Sequence, residues 1–129
     1  MAPERQRLIR LQRLEKLRAI AKQAAATEAA RAETTLAQLD ALAARTAQLA
    51  QDYSHRDAAG DGLELSYQAA FSAGLAAIYT STTIDADRAR TIADGRQTEL
   101  ARAERQRAAV DERAVRQLRS IASRSAAPN

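Results

Sequence analysis

The sequence predicts an all-α fold, a long antiparallel two-helix coiled-coil hairpin forming one domain over residues 1–129. Three observations carry that expectation. Alanine supplies 33 of the 59 apolar residues, so few large side chains remain to fill a compact globule at native packing density. Alanine, arginine, leucine, glutamate and glutamine are strong helix formers, and an excess of them marks coiled coils and long helices. Apolar residues recur at steps of three and four on both sides of a single interior loop signal, which is the spacing of helix.

The first helix is expected over about 5–54. Pro3 stands where proline is tolerated, in the opening turn. The apolar stripe then runs through Leu8, Leu11, Leu14, Leu17, Ala21, Ala25, Ala32, Leu36, Leu39, Leu42, Leu49 and Tyr53. The loop is expected at about 55–62, inside the stretch Ser54 to Gly62, whose two glycines and two aspartates favour turn conformations. Asp61 and Glu64 have the spacing of a capping box for the second helix, expected over about 63–123. Its stripe passes through Tyr67, Phe71, Leu75, Ile78, Ala89, Ile92, Leu100, Val110, Ala114, Leu118 and Ile121. Residues 124–129, with Pro128, read as a frayed tail.

The heptad is imperfect. Arg18, Glu28, Thr35, Thr46 and Thr82 fall on or near the stripe, which predicts a loose or drifting coiled coil and not a strict leucine zipper. Gly74 and Gly95 interrupt the second helix, either to let the helices approach closely or to bend it. The run Thr80-Ser81-Thr82-Thr83 is a weak helical stretch and the expected place for irregularity.

Charge divides the chain. Residues 1–22 carry a net +5, residues 23–95 a net −5 and residues 96–129 a net +4. A chain that folds back brings its two basic ends together. No apolar run approaches the length that spans a bilayer, and Met1 to Arg10 is too charged for the core of a secretory signal. A cytoplasmic protein without a transmembrane segment is the expectation.

Chemistry is sparse. There is no cysteine and one histidine, so the usual acid–base and nucleophilic constellations have almost nothing to draw on. His55, beside Asp52 and Asp57, reads as a solvated loop residue. Gly60-Asp61-Gly62 is not a phosphate-binding loop, because no strand precedes it and no GK[ST] follows. Neither an enzyme nor a cofactor or metal site is expected.

Binding surfaces are more promising. A sequence pI near 10.1 suits nucleic acid, but acids alternate with the arginines and the basic segments lack aromatics for stacking, which argues against it. The basic segment Arg5–Lys22 suggests a membrane surface, although its leucines serve equally well to meet the returning helix. Phe71, Leu75, Ile78 and Thr82 have the anchor spacing of a helix laid into a partner groove. The alternative is that the bulky cluster from Tyr67 to Tyr79 plugs the core near the loop.

The layout resembles the FliJ family of the bacterial flagellar export apparatus. The resemblance rests on Leu8-x-x-Leu11-x-x-Leu14-x-x-Leu17 and on Leu36-x-x-Leu39-x-x-Leu42 continuing through Leu49 to Tyr53. After the glycine-containing loop comes Tyr67-x-x-x-Phe71-x-x-x-Leu75-x-x-Ile78. It implies a stalk similar to that of rotary ATPases, joining the export ATPase and its regulator to the membrane export gate and assisting export chaperones. It further implies a cytoplasmic location, peripheral at the inner-membrane export apparatus. On this chain the gate-contacting face matches Phe71, Leu75 and Ile78, with Thr82 in the next turn. The ring-facing end matches the basic residues Arg5, Arg7, Arg10 and Arg13 with Arg113, Arg116 and Arg119. The stalks of virulence-type secretion systems share this architecture, and a purely structural coiled coil is a further alternative.

Overall fold

The computed structural model describes residues 3–55 and 62–126. It is an all-α helical hairpin: two long helices, α1 (Pro3–Ser54) and α2 (Gly62–Ala126), pack against each other. The helices extend slightly beyond the expected bounds, beginning at Pro3 and ending at Ala126. The centre of the expected loop and the proposed cap Asp61, with Asp57, Gly60 and Pro128, lie outside the described residues. Acidic residues stand in both first turns, Glu4 and Glu64, and Arg124 in the last turn of α2, each on the favourable side of the helix dipole.

At the end of α1 the orphaned carbonyl of Gln51 has several donors. The Ser54 hydroxyl donates to it at 2.8 Å, and His55 approaches it with its backbone N–H at 3.2 Å and its ring Nδ1 at 2.7 Å. His55 is solvent-exposed, as the sequence predicts, and also caps this helix end.

Buried and half-buried residues follow a regular alternation of three and four. In α1 this alternation runs Glu4, Leu8, Leu11, Glu15, Arg18, Lys22, Ala25, Ala29, Ala32, Leu36, Leu39, Ala43, Thr46, Ala50 and Tyr53, with Leu14 and Ala26 half-buried beside it. In α2 it runs Gln68, Ser72, Leu75, Thr82, Ala86, Ala89, Ala93, Arg96, Leu100, Ala103, Arg107, Val110, Ala114, Gln117 and Ile121, with Thr83, Ala101 and Ser120 half-buried beside it. Tyr79 takes the intervening position and stays partly exposed. These are the a and d positions of a heptad with period 3.5. The register does not drift along either helix, but half-buried Leu14, Ala26, Thr83, Ala101 and Ser120 beside it leave the coiled coil looser than a strict zipper. What breaks the leucine pattern is the residue type at the seam.

The most buried apolar residues are mostly alanine: Ala29, Ala43, Ala86, Ala89, Ala93 and Ala114, joined by Leu75 and Val110. Several leucines read into the stripe stand outside it. Leu17, Leu42, Leu49 and Leu118 are exposed, as are Ile92 and Tyr67. Their places are taken by Arg18, Thr46 and Thr82, among others. Thr46 is buried because its hydroxyl donates 2.8 Å to the Leu42 carbonyl, which satisfies the polar group without leaving the helix.

The irregularity expected at Thr80–Thr83 is absent, since α2 continues through it. The hydroxyls of Thr80 and Thr83 donate back to the carbonyls of Ala76 and Thr80, at 3.0 and 2.9 Å. Gly74 and Gly95 do not serve close approach either. A methyl group at either position would meet nothing within 4 Å.

The hairpin divides into two compact units, one formed by residues 1–30 with 95–129 and the other by residues 31–94. In the first, Glu4 is central: its carboxylate pairs with Arg124, and its carbonyl accepts from Gln117 Nε2 at 3.3 Å. Arg18 donates 3.1 Å to Gln106, while its Nε is buried without a partner. In the second unit, Arg90 reaches Asp40 across the seam at 3.3 Å. There the Tyr53 and Phe71 rings lie 4.4 Å apart, tilted by 41°, and Gln68 Nε2 donates 3.4 Å to the Tyr53 carbonyl.

Candidate protein-docking site

Within the unit 31–94, the heptad register sorts the side chains that border the seam onto two flanks. In an antiparallel pair, the residue preceding each a position (g) lies beside its counterpart on the other helix, and the residue following each d position (e) does likewise. The Asp40–Arg90 ion pair joins two e positions, which fixes the polar flank. The rest of that flank is Glu33, Ala47 and Ser54 from α1 with Ala69, Ala76 and Thr83 from α2.

The opposite flank has different chemistry. Its g positions are Leu42 and Leu49 on α1 and Phe71, Ile78 and Ile92 on α2, all exposed. Thr35, Glu64 and Asp85 are the polar residues among these positions. A hairpin needing only two helices is apolar at a and d. Adding g widens the apolar face to three positions in seven, the pattern of a helix that packs into a larger bundle. Phe71 lies against the Tyr53 ring and remains 47% exposed. A contiguous apolar strip left in water on one flank is the usual mark of an interaction surface.

The four residues expected to share a gate-contacting face divide between two surfaces. Phe71 and Ile78 lie on the apolar flank. Leu75 and Thr82 are 7% and 6% exposed and belong to the seam. The register explains the division: 71 and 78 are g positions and 75 and 82 are d positions, so each pair repeats every seven residues on its own line. Leu75 and Thr82 are therefore core residues, whereas Phe71 and Ile78 are exposed on the flank. Leu42 and Leu49, which the sequence places in the apolar stripe, are exposed on the same flank. Their spacing of seven, in step with Phe71 and Ile78, is the signal that marks them.

The basic end is assembled as expected. Arg5, Arg7, Arg10, Arg13, Arg113, Arg116 and Arg119 are all exposed and lie in one unit, residues 1–30 with 95–129. That unit holds 15 basic and seven acidic residues, a net +8, against a net −4 for residues 31–94. Arg116 also pairs with Glu112 at 2.6 Å. Open surface concavities occur here, one lined by Gln12, Glu15, Lys16, Ala19 and Arg107 and another by residues from Arg107 to Arg119.

Among the described residues, no group of three or more histidine, aspartate or glutamate side chains is placed to hold a metal ion. Among them, no helix is long and apolar enough to cross a membrane. Compared with family models, curated proteins and solved structures, the chain matches none of them.

Proposed function

We propose that this chain is a non-enzymatic stalk and adaptor of the bacterial flagellar export apparatus. In this reading it couples the export ATPase ring to the membrane export gate and assists export chaperones, at the inner face of the membrane. The observation that supports it best is the exposed apolar flank of Leu42, Leu49, Phe71 and Ile78 on a hairpin whose other flank is polar. Two residues of the FliJ-like run, Phe71 and Ile78, are on that flank. The order of leucine, tyrosine and phenylalanine motifs around the loop adds the link to export.

The gate then docks against Phe71 and Ile78, with Leu42 and Leu49 completing the strip from α1. Leu75 and Thr82 act beneath it, holding α2 in register. The unit of net +8 meets the ATPase ring and its regulator through Arg5, Arg7, Arg10 and Arg13 with Arg113, Arg116 and Arg119. Reversing Arg5, Arg7 and Arg10 to glutamate should weaken ring association most at low salt, where screening is least.

The test is secretion of flagellar hook protein and swimming in a strain lacking this gene. Loss of both, restored by the wild-type gene, supports the reading. Normal secretion and swimming would remove it.

A further inference from the structure

We propose that the outward face of α1 between Ile9 and Ile20 is a docking surface for an anionic lipid bilayer. The inference goes beyond the adaptor reading and uses none of the residues of the apolar flank.

It begins with side chains that the seam leaves behind. In this stretch Leu8, Leu11 and Leu14 turn partly inward, as a coiled coil requires. Ile9, Leu17 and Ile20 do not: Leu17 is 62% and Ile20 66% exposed, among the highest values for large apolar residues in the protein. At 100° per residue, Ile9 and Ile20 lie within about 20° of one another on the helix surface, and Leu17 about 60° from Ile20. Three aliphatic side chains thus form one outward strip across three turns.

The charges around that strip all have one sign. Arg10, Arg13 and Lys16 are exposed on the same outer surface. The acids of residues 3–27 are Glu4 and Glu15, both half-buried at seam positions, and Glu4 is taken by Arg124. The exposed residues of α1 between Ile9 and Ile20 are therefore cationic, aliphatic or neutral, with Glu15 half-buried at the seam, in a unit of net +8.

That combination selects among anionic partners. Nucleic acid would neutralise the cations but leave the isoleucines in water. A protein would need a recess shaped to a convex helix face that lacks an aromatic anchor. The interface of a bilayer accommodates both components. The aliphatic groups enter the acyl boundary, while Arg13 and Lys16 lay their stems alongside and reach up to lipid phosphates. Three aliphatic side chains give too little insertion to hold a soluble domain alone, so binding requires anionic headgroups as well.

Co-flotation of the full chain with vesicles tests this. The wild type is expected to float with vesicles of phosphatidylcholine mixed with phosphatidylglycerol. It should stay behind with phosphatidylcholine alone, and release as salt is raised. Arg10 and Arg13 also belong to the proposed ring-facing set, so the variant used is Leu17→Gln with Ile20→Gln, which belongs to neither proposed protein surface. It should lower the bound fraction on the order of tenfold, with circular dichroism and melting unchanged because neither residue enters the seam. The chain has no tryptophan, so Leu17→Trp supplies a second, independent readout. Its emission should shift to the blue on anionic vesicles. Failure of the wild type to float at low salt would overturn the proposal. So would equal flotation of the double variant, or an unshifted tryptophan on vesicles that bind the protein.

Discussion

Four residues separate Phe71 from Leu75, and the two have opposite duties. Leu75 is the one leucine among the most buried residues, in a seam otherwise lined mainly by alanine. A cavity left there has few neighbours able to collapse into it. Leu75→Ala should cost about 2–4 kcal/mol of stability in chemical denaturation. Phe71→Ala, already half in water and resting on Tyr53, should cost about 1 kcal/mol. Arg18 argues in the other direction. It occupies a d position, keeps one bond to Gln106, and buries its Nε without a partner. Arg18→Leu should raise stability by about 1 kcal/mol, read from the shift of the denaturation midpoint, because an unsatisfied buried donor is removed and apolar area is gained.

At the scale of the helices, the hairpin was legible in the sequence, and the identity of its seam was not. The loop signal around Gly60 and Gly62, and the steps of three and four on either side, are enough to predict two helices. Following the leucines, however, leads off the seam. Leu17, Leu42 and Leu49 are the strongest apolar signals in their turns and are all exposed. The a and d positions they bracket hold Ala43, Thr46 and Ala50 or Glu15, Arg18 and Lys22. Alanine gives no guidance, since it also fills exposed positions such as Ala41, Ala44 and Ala47. Burial could be read only from register, by asking which spacing of seven stays consistent through Tyr53 and Leu75. The docking flank was half legible for the same reason: aromatic bulk pointed to Phe71, but a helix-face argument grouped it with Leu75. The glycines give a clean check on α2. Gly74 and Gly95 are exposed, with open space where a methyl group would go. Gly74→Ala and Gly95→Ala should each stabilise the helix by about 0.5–1 kcal/mol in thermal melts.

For the whole molecule, the two units differ in what fills their seams. Residues 1–30 with 95–129 hold Glu15, Arg18, Lys22, Arg96, Arg107 and Gln117 half-buried at heptad core positions. The described core positions of residues 31–94 carry no charge: they hold Leu36, Leu39, Leu75 and a run of alanines, with Thr46 and Thr82 as buried polar residues. Polar core residues specify register at a cost in stability. Native-state hydrogen exchange should therefore find amides of 36–50 and 72–93 protected longer than those of 11–25 and 96–114. The unit with the uncharged seam also bears the apolar flank, and the unit with charged seam positions bears the arginines.

The central claim is that this flank is a docking face and not a piece of core. The most direct measurement is the affinity of the purified cytoplasmic region of the export gate for the wild-type chain and for the Phe71→Ala, Ile78→Ala variant, with thermal stability recorded on the same samples. The account predicts a loss of affinity of at least about tenfold with a modest change in melting, as for aromatic and aliphatic anchors at an interface centre. Adding Leu42→Ala and Leu49→Ala should weaken binding further. Unchanged affinity, or a loss of binding that only tracks a collapse in stability, would contradict it.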